Sequence, residues 1–253
     1  CHPDGSKLAA YASGSRRASG MSAFAVGGNV GFALGPILAT PIVVSLGLRG
    51  GLLLALPGLA IAVLLVALTP FLRTFVPERP YGGRVAGGDR YGPLALLLGV
   101  IAFRSLAWFG LLTFVPLWEV SQGHSKAYGN HLLSLMLLVG GLGTIAVGPL
   151  ADRVGRRPVL VASLLAAGPL LFVFVAVGGV VGAIALAFTG ISVIGTFALT
   201  MVMAQEYMPR HIGLASGLSI GLSIGLGGIA AVGLGVLADA VDLQAALYVC
   251  AAA

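Results

Sequence analysis

Two uncharged runs separated by seven residues decide what this chain can become. Leu132–Leu150 and Pro158–Val177 are 19 and 20 residues long and contain no charged side chain. A helix rising ~1.5 Å per residue crosses a ~30 Å hydrocarbon core in about 20 residues, so each run predicts a membrane-spanning helix. So short a connection makes the two an antiparallel hairpin. The connection holds Arg153, Arg156 and Arg157, and loops rich in arginine stay on the cytoplasmic side.

The rest of the chain agrees with a polytopic membrane protein. It has 253 residues, of which 58% are hydrophobic and 9% charged, with a mean hydropathy of +1.05. Soluble domains carry about 25% charged residues, which excludes that class. The net charge of +6 does not mark a nucleic-acid surface, because the basic residues sit in short loops without interleaved aromatics. Cys1 and Cys250 show no metal-ligand spacing and imply no disulfide framework. No nucleophile–base order, phosphate loop or nucleotide motif stands in a suitable context, so neither an enzyme nor a bound cofactor is expected.

In chain order, further spans are expected at Gly20–Leu46, Gly51–Leu72, Leu94–Trp118, Gly179–Ala204 and Gly213–Ala238, seven in all. Pro36 and Pro41 predict a bend in the first of these. Residues 73–93, rich in Arg, Gly and Pro, read as a flexible cytoplasmic linker between two helical bundles. One bundle is expected over residues 1–72 and the other over 94–253. The incomplete apolar runs at both ends lead us to expect a partial chain, with about seven full spans and parts of two more. Alternating spans put eleven of the 14 basic residues on one side, which fixes the orientation.

Two patterns carry a resemblance. The order Gly148-x-x-x-Asp152-Arg153-x-Gly155-Arg156-Arg157 lies between two spans, and Ala18-Ser19-Gly20 recurs 197 residues later as Ala215-Ser216-Gly217. Gly148 allows close backbone approach and Gly155 a tight reversal. Asp152 is suited to pair with the loop arginines or to face the positive N-terminus of another helix. The motif and the repeat resemble the major facilitator superfamily of secondary transporters, whose halves are parallel repeats. The resemblance implies an all-α fold of two pseudo-symmetric six-helix bundles, with the loop motif acting as a conformational latch. His2-Pro3-Asp4, the Gly27-Gly28-Asn29 region running to Gly35-Pro36, and Ala204-Gln205-Glu206 are similar to the fosmidomycin resistance branch. That implies a monomeric, proton-coupled exporter of a small, anionic drug in the inner membrane. Asp4 stands where the branch has glutamate, and Cys1 where it has an aromatic residue.

Candidate residues follow from the chemistry. Arg104 is the one charge deep inside an apolar run, which costs at least ~2.5–3.5 kcal/mol, so it faces a cavity or a partner. It suits an anionic substrate group such as a phosphonate, or a structural carbonyl or helix end. His2 and Asp4 are proton-coupling candidates or a polar helix terminus. Asn29 is a substrate contact or an interhelical hydrogen bond. Trp108 is a cavity-lining candidate, and Gln205 and Glu206 are coupling candidates, with Arg210 as the expected partner of Glu206. Glu119 and Trp118 are expected at the membrane interface. Competing functions are a metabolite symporter of the same fold and a seven-span receptor or scaffold.

Overall fold

The computed structural model describes residues 2–75 and 88–252, without the side chains of residues 2–4, 29–41, 43, 44 and 48. The calls on His2, Asp4 and Asn29 therefore fall on side chains outside the described residues, as does most of the expected linker. Among the described residues the chain forms eleven α-helices and one 3-10 turn. They are α1 His2–Ala12, α2 Arg17–Gly50, α3 Ala55–Ala67, α4 Thr69–Arg73, α5 Tyr91–Ser121, α6 Lys126–Val154, α7 Arg156–Val177, α8 Gly179–Ile194, α9 Thr196–Tyr207, α10 Ile212–Ala240 and α11 Leu243–Ala252.

Helix ends follow local chemistry. Ser125 caps α6, its hydroxyl accepting from the Tyr128 N–H at 3.2 Å. Gly155 has φ +107°, a value that a side chain would strain, and so reverses the chain in one residue between α6 and α7. Pro158 then sits in the first turn of α7, where its missing N–H is not needed.

Among the described residues, five segments are long and apolar enough to cross a bilayer: α5, α6, α7, α8 with α9, and α10. The expected span at Gly51–Leu72 is not one helix. It divides into the 3-10 turn Gly51–Leu54, then α3, then α4, with Pro70 in the first turn of α4. The span expected at Gly179–Ala204 is part of one apolar segment, Gly179–Tyr207; α8 and α9 meet at Gly195, whose torsions stay helical (φ −59°, ψ −29°). In α2 the backbone leaves helical values at Gly47 (φ +65°, ψ −171°); the bend expected at Pro36 and Pro41 falls on residues whose side chains lie outside the described residues.

Lipid tails are as apolar as leucine, so helices in a bilayer associate through close packing, with small residues at the crossings. The crossing of α6 and α8 shows this directly. A Cβ added at Gly140 would lie 2.7 Å from the Gly190 carbonyl oxygen, and one at Gly143 only 2.8 Å from Ile191. One buried cluster joins α5, α6, α7, α8 and α11 through Leu111, Phe114, Met136, Phe174, Leu186 and Leu247. A second, toward the arginine-rich side, joins α5, α6, α7 and α9 through Ile101, Val147, Leu160 and Leu199. Met21 of α2 packs with Ala198, Met201 and Val202 of α9. Outward-facing Leu165, Phe172, Ile224 and Ile229 are exposed, as a lipid-contacting surface requires.

A Gly190→Val substitution should drive α6 and α8 apart, because the added atoms would meet Met136 backbone and side chain. We expect a loss of about 1–3 kcal/mol, typical of overpacking, seen as a lower thermal unfolding midpoint of the detergent-solubilised protein. The same change at Gly141, where an added Cβ meets nothing within 4 Å, should leave the midpoint nearly unchanged.

Candidate functional site

The polar loop between α6 and α7 lies against the first turn of α2. The first N–H groups of any helix lack intrahelical partners and carry the positive end of its dipole. Asp152 meets both needs of α2 from the end of another helix. Its Oδ1 accepts the Ala18 N–H at 3.2 Å, and its Oδ2 accepts the Ser19 N–H at 2.9 Å and the Ser19 hydroxyl at 2.7 Å. Approach this close needs a glycine one turn earlier. A Cβ at Gly148 would sit 2.9 Å from the Ala18 carbonyl oxygen and would collide with the Ser22 hydroxyl. Of the two partners open to Asp152 in the sequence, the helix N-terminus is the main one.

The arginines of the loop divide the remaining work. Arg156 Nη2 stands 3.6 Å from Asp152 Oδ1, and its Nη1 pairs with Glu206 at the end of α9. Glu206 was expected to pair with Arg210. It pairs with Arg156 because the start of α7 is packed beside the end of α9, whereas Arg210 lies past the helix end and is exposed. Arg157 donates from Nη2 to the Tyr207 hydroxyl at 3.3 Å. Arg153 is exposed.

The end of the expected linker is anchored to the same region. Arg90 N–H donates to the Tyr207 carbonyl at 2.7 Å. Asp89 Oδ1 accepts the Arg210 N–H at 3.2 Å, and Oδ2 lies 2.6 Å from His211 Nδ1, at the N-cap of α10. Asp89 and Arg90 are thus tied to the ends of α9 and α10, and Tyr91 already begins α5. Asp89 holds the turn that leads into α10, whereas Asp152 accepts N–H groups of α2 itself. Burial alone would raise the Asp89 carboxyl, but the hydrogen bonds from His211 and Arg210, with their nearby charge, hold it below the usual carboxylate value.

Midway along α5, Arg104 is 4% exposed. Its Nη1 donates to Thr200 Oγ1 of α9 at 3.2 Å, and its guanidinium carbon lies 5.1 Å from the Phe197 ring centre. The neighbouring Ser105 shares a hydrogen bond of 2.6 Å with Ser223 of α10. Further along that seam Gln205 Nε2 donates to Ser216 Oγ at 2.9 Å, while Gln205 Oε1 is buried with no hydrogen-bond partner among the described residues. Trp108 is half-buried, one turn beyond Arg104, and packs on the first core cluster. Arg104 and Gln205 are thus placed on one polar seam between α5, α9 and α10. Glu206 belongs instead to the arginine-rich end.

Two polar pairs escaped the sequence reading. Asp89 looked like part of a linker, and no local pattern ties it to His211, 122 residues away. Glu119, expected at the interface, is 5% exposed and lies 2.6 Å from His124 Nδ1. The five-residue spacing across the Gln122-Gly123 turn was the available signal: the turn folds His124 back, and its N–H donates to the Glu119 carbonyl at 3.0 Å.

Comparison with known proteins agrees with this architecture. The family model of the Major Facilitator Superfamily matches residues 6–232. The uncharacterized MFS-type transporter YfnC of Bacillus subtilis is 32% identical over 256 residues, covering 96% of this chain and 62% of YfnC. The fosmidomycin resistance protein of Escherichia coli is 27% identical over 261 residues, covering 99% of this chain and 63% of that protein. The chain thus spans under two thirds of the length of these curated relatives. The crystal structure of the transporter FucP in the outward conformation superposes with a TM-score of 0.75 at 15% identity, covering 94% of this chain and 65% of FucP.

The Asp89 contact predicts a pH dependence with a defined sign. A carboxyl held below its unfolded-state value of about 3.9 stabilises the folded protein above that pH, and loses this effect as pH falls through the folded-state value. Asp89→Asn should therefore unfold at a lower temperature than wild type at neutral pH. The difference should close below about pH 4, as followed by thermal denaturation across pH.

Proposed function

This chain belongs to the Major Facilitator Superfamily, and on that premise we propose that it serves a secondary transporter working by alternating access. Helices α1–α4 belong to one bundle and α5–α11 to the other, joined through residues 73–93. Substrate crosses a midplane cavity as the bundles rock. The observation that carries this reading is Asp152 capping α2, because that contact ties the two bundles together at the arginine-rich end. With the arginine-rich side in the cytoplasm, the capped state is closed inward. Breaking the cap costs on the order of 0.5–2 kcal/mol, enough to hold a state yet small enough for bound substrate or a proton to overturn.

The reading extends to cargo and coupling. The transported molecule is a small antibiotic of the fosmidomycin kind, exported from the inner membrane in exchange for protons. The likeness to the E. coli resistance protein supports it, as does the buried Arg104, which suits an anionic group. Glu206 and Gln205, with His2 and Asp4 at the start of α1, are the proton-coupling candidates. The protein works as a monomer.

Two experiments test this. Cells of a sensitive, efflux-deficient host expressing the protein should survive higher fosmidomycin, and collapse of the proton gradient should abolish the internal exclusion of drug. No protection by well-inserted protein would remove the antibiotic assignment. For the latch, a cysteine replacing the buried Ser22 beside Gly148 should react slowly with a membrane-impermeant maleimide in inside-out vesicles. Adding Asp152→Ala should speed labelling several-fold; an unchanged rate would show that Asp152 does not gate that side.

A further inference from the structure

The last turn of α5 is hinged, and two contacts hold it. Pro116 stands inside the helix without an N–H, so the Leu112 carbonyl loses its helical donor and the turn beyond is less firmly joined to the rest of α5. The start of α6 packs against that turn, where a Cβ at Gly129 would lie 2.9 Å from Pro116 Cα and 3.3 Å from Glu119 Cβ. The second contact is Glu119 with His124. The His124 N–H donates to the Glu119 carbonyl at 3.0 Å, and its Nδ1 lies 2.6 Å from Glu119 Oε2. Residues 122–125 are thereby folded back onto the helix they leave. The two side chains are unequal, since the carboxylate is buried and the imidazole half exposed.

We propose that Glu119 and His124 form a proton-binding clasp on the face opposite the arginine-rich end, and that a proton taken up by His124 fastens the hinged end of α5. With Nδ1–H donating to the carboxylate, the basic nitrogen of the neutral ring is Nε2, and a proton from water adds there. The pair then changes from a hydrogen bond with a neutral donor to an ion pair, which is stronger. Histidine makes this change between about pH 5 and pH 8, so the clasp tightens as its compartment acidifies. The other groups on the elements packed against this end do not replace either partner. On α6 they are Lys126, Tyr128, whose ring centre is 4.7 Å from that of His124, and His131. Asp239 ends α10, and Asp242 is taken up by the Ala245 N–H at the start of α11. Helix α11 adds only Tyr248 and Cys250, and α8 adds no titratable side chain. No ion pair among the described residues joins any of these to Glu119 or His124. The inference rests on the transporter reading for the compartment: a gradient that drives export makes that outer side the acidic one, and the clasp is tight while the membrane is energised. Neither residue is among the coupling candidates, and the proton returns to the side it came from.

The clasp can be read in the detergent-solubilised protein, without cargo or gradient, from Trp118, which adjoins Glu119 and is half-buried. A Trp108→Phe background leaves Trp118 as the only tryptophan. Its quenching constant with acrylamide should fall roughly twofold between about pH 8 and about pH 5.5, as local opening is suppressed. Glu119→Gln should be quenched strongly at both values. His124→Gln, which keeps a neutral donor, should stay flat at the level of the parent at the higher pH. Lys126→Gln and His131→Gln should keep the full change. A parent constant that does not move with pH, or a change that survives His124→Gln or a folded Glu119→Gln protein, would overturn the clasp. So would a change that vanishes with His131→Gln. If Glu119→Gln fails to fold, His124→Gln and His131→Gln decide. Failure of this test leaves the transporter reading standing, and failure of drug protection leaves the clasp standing.

Discussion

The structure on the arginine-rich side depends on one carboxylate placed at the start of a helix it does not belong to. Three donors of the first turn of α2 converge on Asp152, and the surrounding features exist to make that convergence possible. Gly148 removes the side chain that would hold α6 away from Ala18. Gly155 turns the chain so that Arg156 stands between Asp152 and Glu206. Arg156 is therefore a bridge from the latch to α9, the helix that also carries Thr200 and Gln205.

Much of the fold was legible because a bilayer allows few solutions. Uncharged runs of about 20 residues between arginine-bearing loops admit only spanning helices, and α5, α6, α7 and α10 follow the expected runs closely. Local steric signals also transferred: Gly148 and Gly155 do in the structure what their positions suggested. What hydropathy does not encode is continuity within an apolar run. Gly51–Leu72 reads as unbroken, but the structure divides it into a 3-10 turn, α3 and α4, because helix breaks arise from backbone torsions and tertiary packing.

The polar partners were legible only in part, for the same reason. Arg104 stood out because an isolated charge in hydrocarbon is anomalous wherever it points. Its neighbours did not, since Thr200 and Ser223 are ordinary small polar residues until α9 and α10 bring them beside α5. Glu206 drew the wrong partner because sequence proximity favoured Arg210, while the fold supplies Arg156 from 50 residues away. Asp89 was hidden by the composition of the segment it ends. A clamp at the last residues of a loop changes nothing in the Gly, Pro and Arg content from which flexibility is read.

The cap on α2 has a consequence for water. When Asp152 withdraws, the Ala18 and Ser19 amides and the Ser19 hydroxyl lose their acceptor together, and no neighbouring hydrocarbon can replace it. Separation at that end must admit solvent to the helix terminus in the same step, with further water going to the freed carboxylate. Opening and wetting are then one event. If the chain alternates as proposed, the balance between its end states depends on the water activity of the compartment facing the arginine-rich end.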